Sequence, residues 1–166
     1  QSNLKLATGF CPLAKIMERG INVSLGTGSA ASNNDLDLFS EAQTAALLAK
    51  GIASDAAAMP ALRALRMATL DGAYALGWQS EIGSLEPGKY ADAIAIELNS
   101  IQQQPVYNLA SQLLYTHSGS RVSHNWVAGK TLLKDGKLQT LNESSLIRSA
   151  QRWRDRIVSD QSPARF

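Results

Sequence analysis

Two unlike halves place this chain in the α/β class. The apolar run Ile21 to Thr27 reads as a buried strand that ends in a loop of small residues and leads into a helix. From about residue 82 the period changes, and short strand-like segments separated by Pro-Gly and Asp-Gly turns predict a small β-unit. Loops at the carboxyl ends of parallel strands are where α/β proteins place their chemistry, so the stretch Gly26 to Asp37 is the first candidate for function.

Pro12 stands at a first helical position, Leu13, Ile16 and Met17 line one face and Gly20 stops the segment, which predicts a short helix over 12–19. It feeds directly into the strand 21–27. Beyond the loop, Asn34 or Asp35 can cap a helix running to about Lys50, with Leu36, Phe39, Leu47 and Leu48 apolar and Gly51 as its stop. Pro60 opens another helix, and Asp71 caps a shorter one that ends at Gly77. In the second half, residues 82–85 and 91–98 predict strands joined by Glu86-Pro87-Gly88-Lys89, with Pro and Gly at the centre of a type II turn. A helix over about 107–116 precedes a meander over 121–128, 130–134 and 137–140, which turns near Gly129 and at Asp135-Gly136. Asn142 caps a final amphipathic helix carrying Leu146, Ile147, Ala150, Trp153 and Ile157.

The chain has 166 residues, enough for one domain but short of the roughly 250 of a complete (β/α)8 barrel. Its 16 basic and 14 acidic residues nearly balance. The one basic concentration, Arg148, Arg152, Arg154 and Arg156, is spaced like a solvated helix face, so no nucleic-acid partner is expected. No apolar run approaches the roughly 20 residues of a membrane span, and no signal peptide is visible. A single cysteine, Cys11, excludes an internal disulfide and fits a reducing, cytoplasmic setting. The lone strand 21–27 poses a difficulty, because a buried backbone group without a partner costs about 1–3 kcal/mol. Either another chain supplies its neighbours or the segment packs differently.

The stretch from Gln1 to Pro12, together with Gly26-Thr27-Gly28-Ser29-Ala30-Ala31-Ser32-Asn33-Asn34, closely resembles the eighth-strand region of amidohydrolase-superfamily deaminases. The branch it resembles acts on 5-methylthioadenosine and S-adenosylhomocysteine, and triazine chlorohydrolases share the pattern. The likeness continues through Ala45 to Lys50, Ala64 to Thr69, Ile82 to Asp92 and Trp126 to Lys130. It implies the carboxyl-terminal portion of a metal-dependent (β/α)8 barrel hydrolase plus part of a small β-sandwich domain. Residues 1–80 would belong to the barrel, 81–141 to the small β domain with an inserted helix, and 142–166 to a carboxyl-terminal helix.

The family reads Gly-Thr-Asp-Gly at the strand end, where the Asp binds the catalytic metal and carries a proton; here that position is Gly28. The family's histidine ligands and its proton-relaying Glu lie upstream, whereas the two histidines of this chain, His117 and His124, lie downstream. The resemblance therefore implies zinc or another divalent metal in the full-length family, none held by this chain alone, and no intact catalytic set. The missing amino-terminal barrel portion or another copy of the chain would complete it, and a homo-oligomer is expected by analogy. The parent enzyme would deaminate 5-methylthioadenosine, S-adenosylhomocysteine or a related amino-heterocycle, with a metal-bound hydroxide attacking the ring carbon and ammonia leaving. Two alternatives are a non-catalytic interaction or assembly module and a triazine or guanine-type hydrolase.

On the substrate side of the loop stand Ser29, Asn33 and Asn34. The asparagines either hydrogen-bond a substrate or simply make the turn and cap the helix. Asp35 and Asp37 are the nearest carboxylates that could stand in for the missing one. Gly26-x-Gly28-x-x-Ala31 formally fits a dinucleotide fingerprint, but polar residues intervene before the helix, and no acidic residue closes a strand about 20 residues on. His117 reads as a helix-end residue, His124 as a surface strand residue, Cys11 as a small packed side chain, and Trp78, Trp126 and Trp153 as packing aromatics.

Overall fold

The computed structural model describes residues 1–160, so 161–166, the end of the expected carboxyl-terminal helix segment, lie outside the described residues. In the first half run α1 (Ser2–Lys5), α2 (Leu13–Glu18), α3 (Ala30–Asn33), α4 (Leu38–Ala53), α5 (Ala61–Met67) and α6 (Leu70–Leu76). The second half holds β1 (Ala93–Ile96), α7 (Leu109–Tyr115), β2 (Val122–Val127), β3 (Lys130–Lys134), β4 (Lys137–Leu138) and α8 (Glu143–Asp160).

Alanine decides how the helices meet. Ala42, Ala46 and Ala49 recur on one face of α4 and are buried with Ala61, Ala64 and Met67 of α5 and Leu114 of α7. Short side chains let helices approach closely and lose almost no rotamer entropy on burial. Met59 and Met67, both fully buried, suit the irregular gaps that remain. The expected leucine face of α4 is only partly covered: Leu36 is 65% exposed and Leu47 54%. The helix is thus apolar on more than one side, and its alanine side is the one this chain packs.

Several expected boundaries move, each for a local reason. Asp37, not Asn34 or Asp35, caps α4 by accepting from the Phe39 N–H at 2.8 Å. α4 continues past Gly51 to Ala53, where Ser54 takes a left-handed φ of 52°. Asp71 is not the cap of α6, since Thr69 holds that place. Asp71 is buried inside the helix and accepts from Arg66 Nε at 2.9 Å while pairing with Arg63, which ties α6 to α5. A buried carboxylate is tolerated when guanidinium groups surround it in this way.

The expected strand 21–27 is extended but joins no sheet among the described residues. One backbone bond from it runs to α5, where the Leu25 N–H donates to Met67 O at 3.2 Å. An extended segment becomes a strand only with a neighbour to pair with, and none of the described residues supplies one. Residues 82–85 likewise form no strand; the chain bends through 82–84. Gly83 passes so close to α6 that a Cβ on it would lie 2.7 Å from Ala73 Cβ and 2.9 Å from Leu70 Cα.

The β-unit follows expectation more closely. β1 to β4 form one antiparallel sheet in sequence order. Its two tight hairpins turn on pairs with positive φ, Ala128-Gly129 and Asp135-Gly136, the geometry that matches strand twist. The Glu86-Lys89 turn closes with Lys89 N–H donating to Glu86 O at 3.2 Å and Gly88 at φ +95°. Asn108 caps α7 and Asn142 accepts from Ser145 N–H at 2.9 Å at the start of α8. The turn Ser118–Arg121, which leads into β2, sits against α4. A Cβ on Gly119 would fall 2.8 Å from an Asp37 carboxylate oxygen, so a larger residue there would have to displace the capping side chain.

Gly83→Ala is expected to destabilise the protein by about 2–4 kcal/mol, because overpacking adds to the strain of a positive φ; urea unfolding measures it. The Ser84 hydroxyl and then the Lys89 ammonium hold the Glu86 carboxyl below its ordinary range. A carboxyl lowered by folding stabilises above its unfolded pKa, and that contribution disappears as pH falls through the folded value. Ser84→Ala is therefore expected to move the Glu86 pKa up toward the ordinary carboxylate range, read by an NMR titration.

Candidate functional site

The loop from Gly26 to Asp37 is built almost entirely from its own polar side chains. Gly28 has φ +69°, and its neighbour Ser29 caps α3, its hydroxyl accepting from the Ala31 N–H at 3.2 Å. α3 is a single turn that Asn34 ends with φ +69°. Asn33 is buried, and its Nδ2 donates to Glu41 Oε1 at 2.7 Å and to Asp35 Oδ1 at 3.3 Å. The start of the chain folds onto the same loop: Ser2 Oγ lies 3.0 Å from Ser32 Oγ, and the Gln1 main-chain nitrogen donates to Glu41 Oε2 at 2.7 Å.

Three of the candidates, Gly28, Ser29 and Asn33, thus meet in one loop, with the amide nitrogen of Asn33 turned toward Glu41 in the first turn of α4. Asn34 serves as the left-handed end of α3, a role that asparagine fills better than most residues. Beside the loop lies a cavity of about 230 Å³ between the chain start, the extended segment and α4, lined among others by Ser2, Cys11, Val23, Gly26, Glu41 and Leu48. Cys11 is exposed at this cavity, so its expected role as a packed side chain is corrected.

The donor set does not fit a zinc ion. Among the described residues, no group of three or more His, Cys, Asp and Glu side chains is placed to hold a metal. Gly28 offers no side-chain donor atom, Asp37 is engaged as a cap, Asp35 accepts from Asn33, and Glu41 accepts from Asn33. His117 sits between α7 and the following turn with φ 54°, and His124 stacks on Trp126 at 5.3 Å with Asp135 3.5 Å from its Nε2. Glu41 is the loop partner that sequence reasoning missed. A lone Glu in the first turn of a helix reads as a solvated residue favoured by the helix dipole; its eight-residue separation from Asn33 gives no periodic signal.

An extended, helix-backed segment ending in a small-residue loop, followed by helices and a small antiparallel sheet, is the architecture of one end of a (β/α)8 hydrolase with its β domain. The chain belongs to the amidohydrolase family, whose profile matches residues 1–132. It is 52% identical over 157 residues to a 5-methylthioadenosine/S-adenosylhomocysteine deaminase from Teredinibacter turnerae, a match covering 95% of this chain and 36% of that protein. A crystal structure of a zinc-bound adenosine deaminase from Xanthomonas campestris superposes with a TM-score of 0.93 at 46% identity, again over 95% of this chain and 36% of the other. The zinc complex of an atrazine chlorohydrolase from Arthrobacter aurescens gives a TM-score of 0.84 at 26% identity, over 91% of this chain and 34% of the other. The chain therefore spans about a third of the length of the relatives it matches, in their carboxyl-terminal part.

Asn34→Ala is expected to cost about 1 kcal/mol, since alanine bears the left-handed penalty without asparagine's local hydrogen bonding. Asn34→Gly is expected to leave stability unchanged or raised, and denaturant unfolding of the pair separates conformational strain from loss of the side chain.

Proposed function

We propose that this chain is the carboxyl-terminal portion of an amidohydrolase whose complete form deaminates 5-methylthioadenosine, S-adenosylhomocysteine or a related amino-heterocycle, and that the chain alone is inactive. The observation that carries the reading is the 52% identity to a deaminase of that description, twice the 26% identity to the atrazine enzyme. In this reaction water replaces the exocyclic amine on the ring carbon and ammonia leaves. Residues 1–80 contribute the end of the barrel, 81–141 the small β domain and 142–166 the carboxyl-terminal segment that carries α8. The loop residues Ser29, Asn33 and Asn34 line the substrate side, and Gly28 occupies the place where the family carries a metal-binding carboxylate.

The partner of this portion is the rest of the barrel. Its strands would take up the free peptide groups of the extended segment 21–27 and cover Phe10 and Ile21, now 64% and 54% exposed. A cytoplasmic homo-oligomer is the assembly in keeping with the family. Among the described residues, no helix is long and apolar enough to cross a membrane.

A second reading has its own support. Gly28, with every neighbouring carboxylate already engaged, favours a non-catalytic assembly module built on the amidohydrolase scaffold. One experiment separates the two. In the longer protein that carries the upstream histidines, Gly28→Asp is expected to raise zinc content and to increase adenine deamination, followed by ultraviolet absorbance, by about 10²-fold or more. If the variant takes up zinc and still turns nothing over, or takes up none, the deaminase reading fails and the assembly reading replaces it.

A further inference from the structure

Glu41 has no part in the reaction proposed above, yet it is buried beneath the loop with 7% of its surface exposed. It lies in the first turn of α4, where the helix dipole favours negative charge. Burial of a carboxylate is costly unless donors surround it. Glu41 has the Asn33 Nδ2 donor at 2.7 Å.

The consequence falls on Asn33. A side-chain amide has two N–H donors and one carbonyl acceptor. Both donors of Asn33 point at carboxylates, Glu41 at 2.7 Å and Asp35 at 3.3 Å. An ionised carboxylate only accepts, so the amide is not free to turn over: its oxygen would then face carboxylate oxygens on both sides. Asn33 Oδ1 is left as the free polar atom of the side chain, with no hydrogen bond to the described residues, and it is not among the enclosed atoms that lack a partner.

We propose that Glu41 is a positioning residue that locks the Asn33 amide in one orientation, leaving its carbonyl oxygen as an acceptor for an N–H or O–H group of the ligand. For the ligand's identity, an amino-nucleoside, this rests on the deaminase reading; the lock itself does not. The loop then selects for a donor at this point and against an analogue that presents only acceptors.

Nitrogen-15 NMR of the full chain reads the lock directly. The Asn33 NH2 protons are expected to exchange slowly with water. Glu41→Gln, which can present a donor as well as an acceptor, is expected to speed that exchange about tenfold, as loss of a charge-assisted hydrogen bond requires. Glu41→Asp keeps the charge but falls one methylene short, and is expected to do the same. Backbone amide protection along α4 stays unchanged in both variants. Unaltered Asn33 exchange in both variants overturns the lock, and so does a general loss of α4 protection, which would make Glu41 a support of the helix. Calorimetry of the longer protein with 5-methylthioadenosine tests the ligand half, where Glu41→Gln is expected to weaken binding about tenfold. Equal binding by both proteins overturns the subsite. No binding by the unsubstituted protein overturns the deaminase reading, while the NMR result still decides the lock.

Discussion

Ala42, Ala46 and Ala49 bring α4 within close reach of α5 and α7, and the geometry of the loop follows from that contact. With α4 fixed by its alanine face, its first turn is fixed too. Glu41, one residue before Ala42, then faces inward and receives Asn33. Asp37, at the cap, points back along the helix start and leaves room for the backbone of Gly119. One packed face thus sets the inner side of the loop and the seat of the turn that begins β2. Methyl-sized side chains are essential to it, because larger ones would push the helices apart and move both carboxylates with them.

The same helix shows what the chain leaves uncovered. A helix that is apolar on more than one side belongs in the interior of a larger body, and α4 carries Leu47 out to solvent opposite its alanine face. Phe10, Ile21 and Leu36 are exposed in the same half of the chain. The segment 21–27 adds peptide groups that have water as their alternative to a neighbouring strand. Scattered exposed leucines need no explanation, but large apolar side chains beside an unpaired extended segment form the kind of surface that folded proteins cover. This agrees with a chain that spans about a third of its relatives' length.

Much of this was legible in the sequence, where turn chemistry or a cap was local. Ala128-Gly129, Asp135-Gly136 and Asn142 each do their work within four residues, and the elements around them stand close to expectation, while Pro87-Gly88 turns as expected although 82–85 before it forms no strand. Failures came where a partner distant in sequence decides the outcome. The run 21–27 has the composition of a buried strand but no neighbour among the described residues, so it stays extended. Asp71 looks like a cap by its place before a helix, whereas two arginines from the preceding helix draw it inside. The loop's candidates rest on family likeness, and the shorter of the two bonds that hold Asn33 goes to a helix whose Glu gives no signal by spacing. Capping is a matter of neighbours in sequence; ion pairing and strand pairing are not.

The placement of the loop carboxylates bears on what a glycine at position 28 means under the proposed reading. If a nearby acid had taken over the role of the missing one, it should stand free of other duties and face the strand end. Asp37 instead satisfies the first turn of α4, Asp35 holds Asn33, and Glu41 is buried beneath the loop and bonded to Asn33. Withdrawing any of the three would uncap a helix or leave a buried amide without its acceptor, at about 1–3 kcal/mol each. The backbone at position 28 has also settled into a left-handed conformation, with Ser2 Oγ 3.0 Å from where a Cβ would stand. An aspartate can adopt that φ and a serine hydroxyl can turn aside, so the loop keeps the room for a carboxylate without having recruited a replacement. The loop therefore keeps its supporting hydrogen bonds whole around a position 28 that brings no side chain to them.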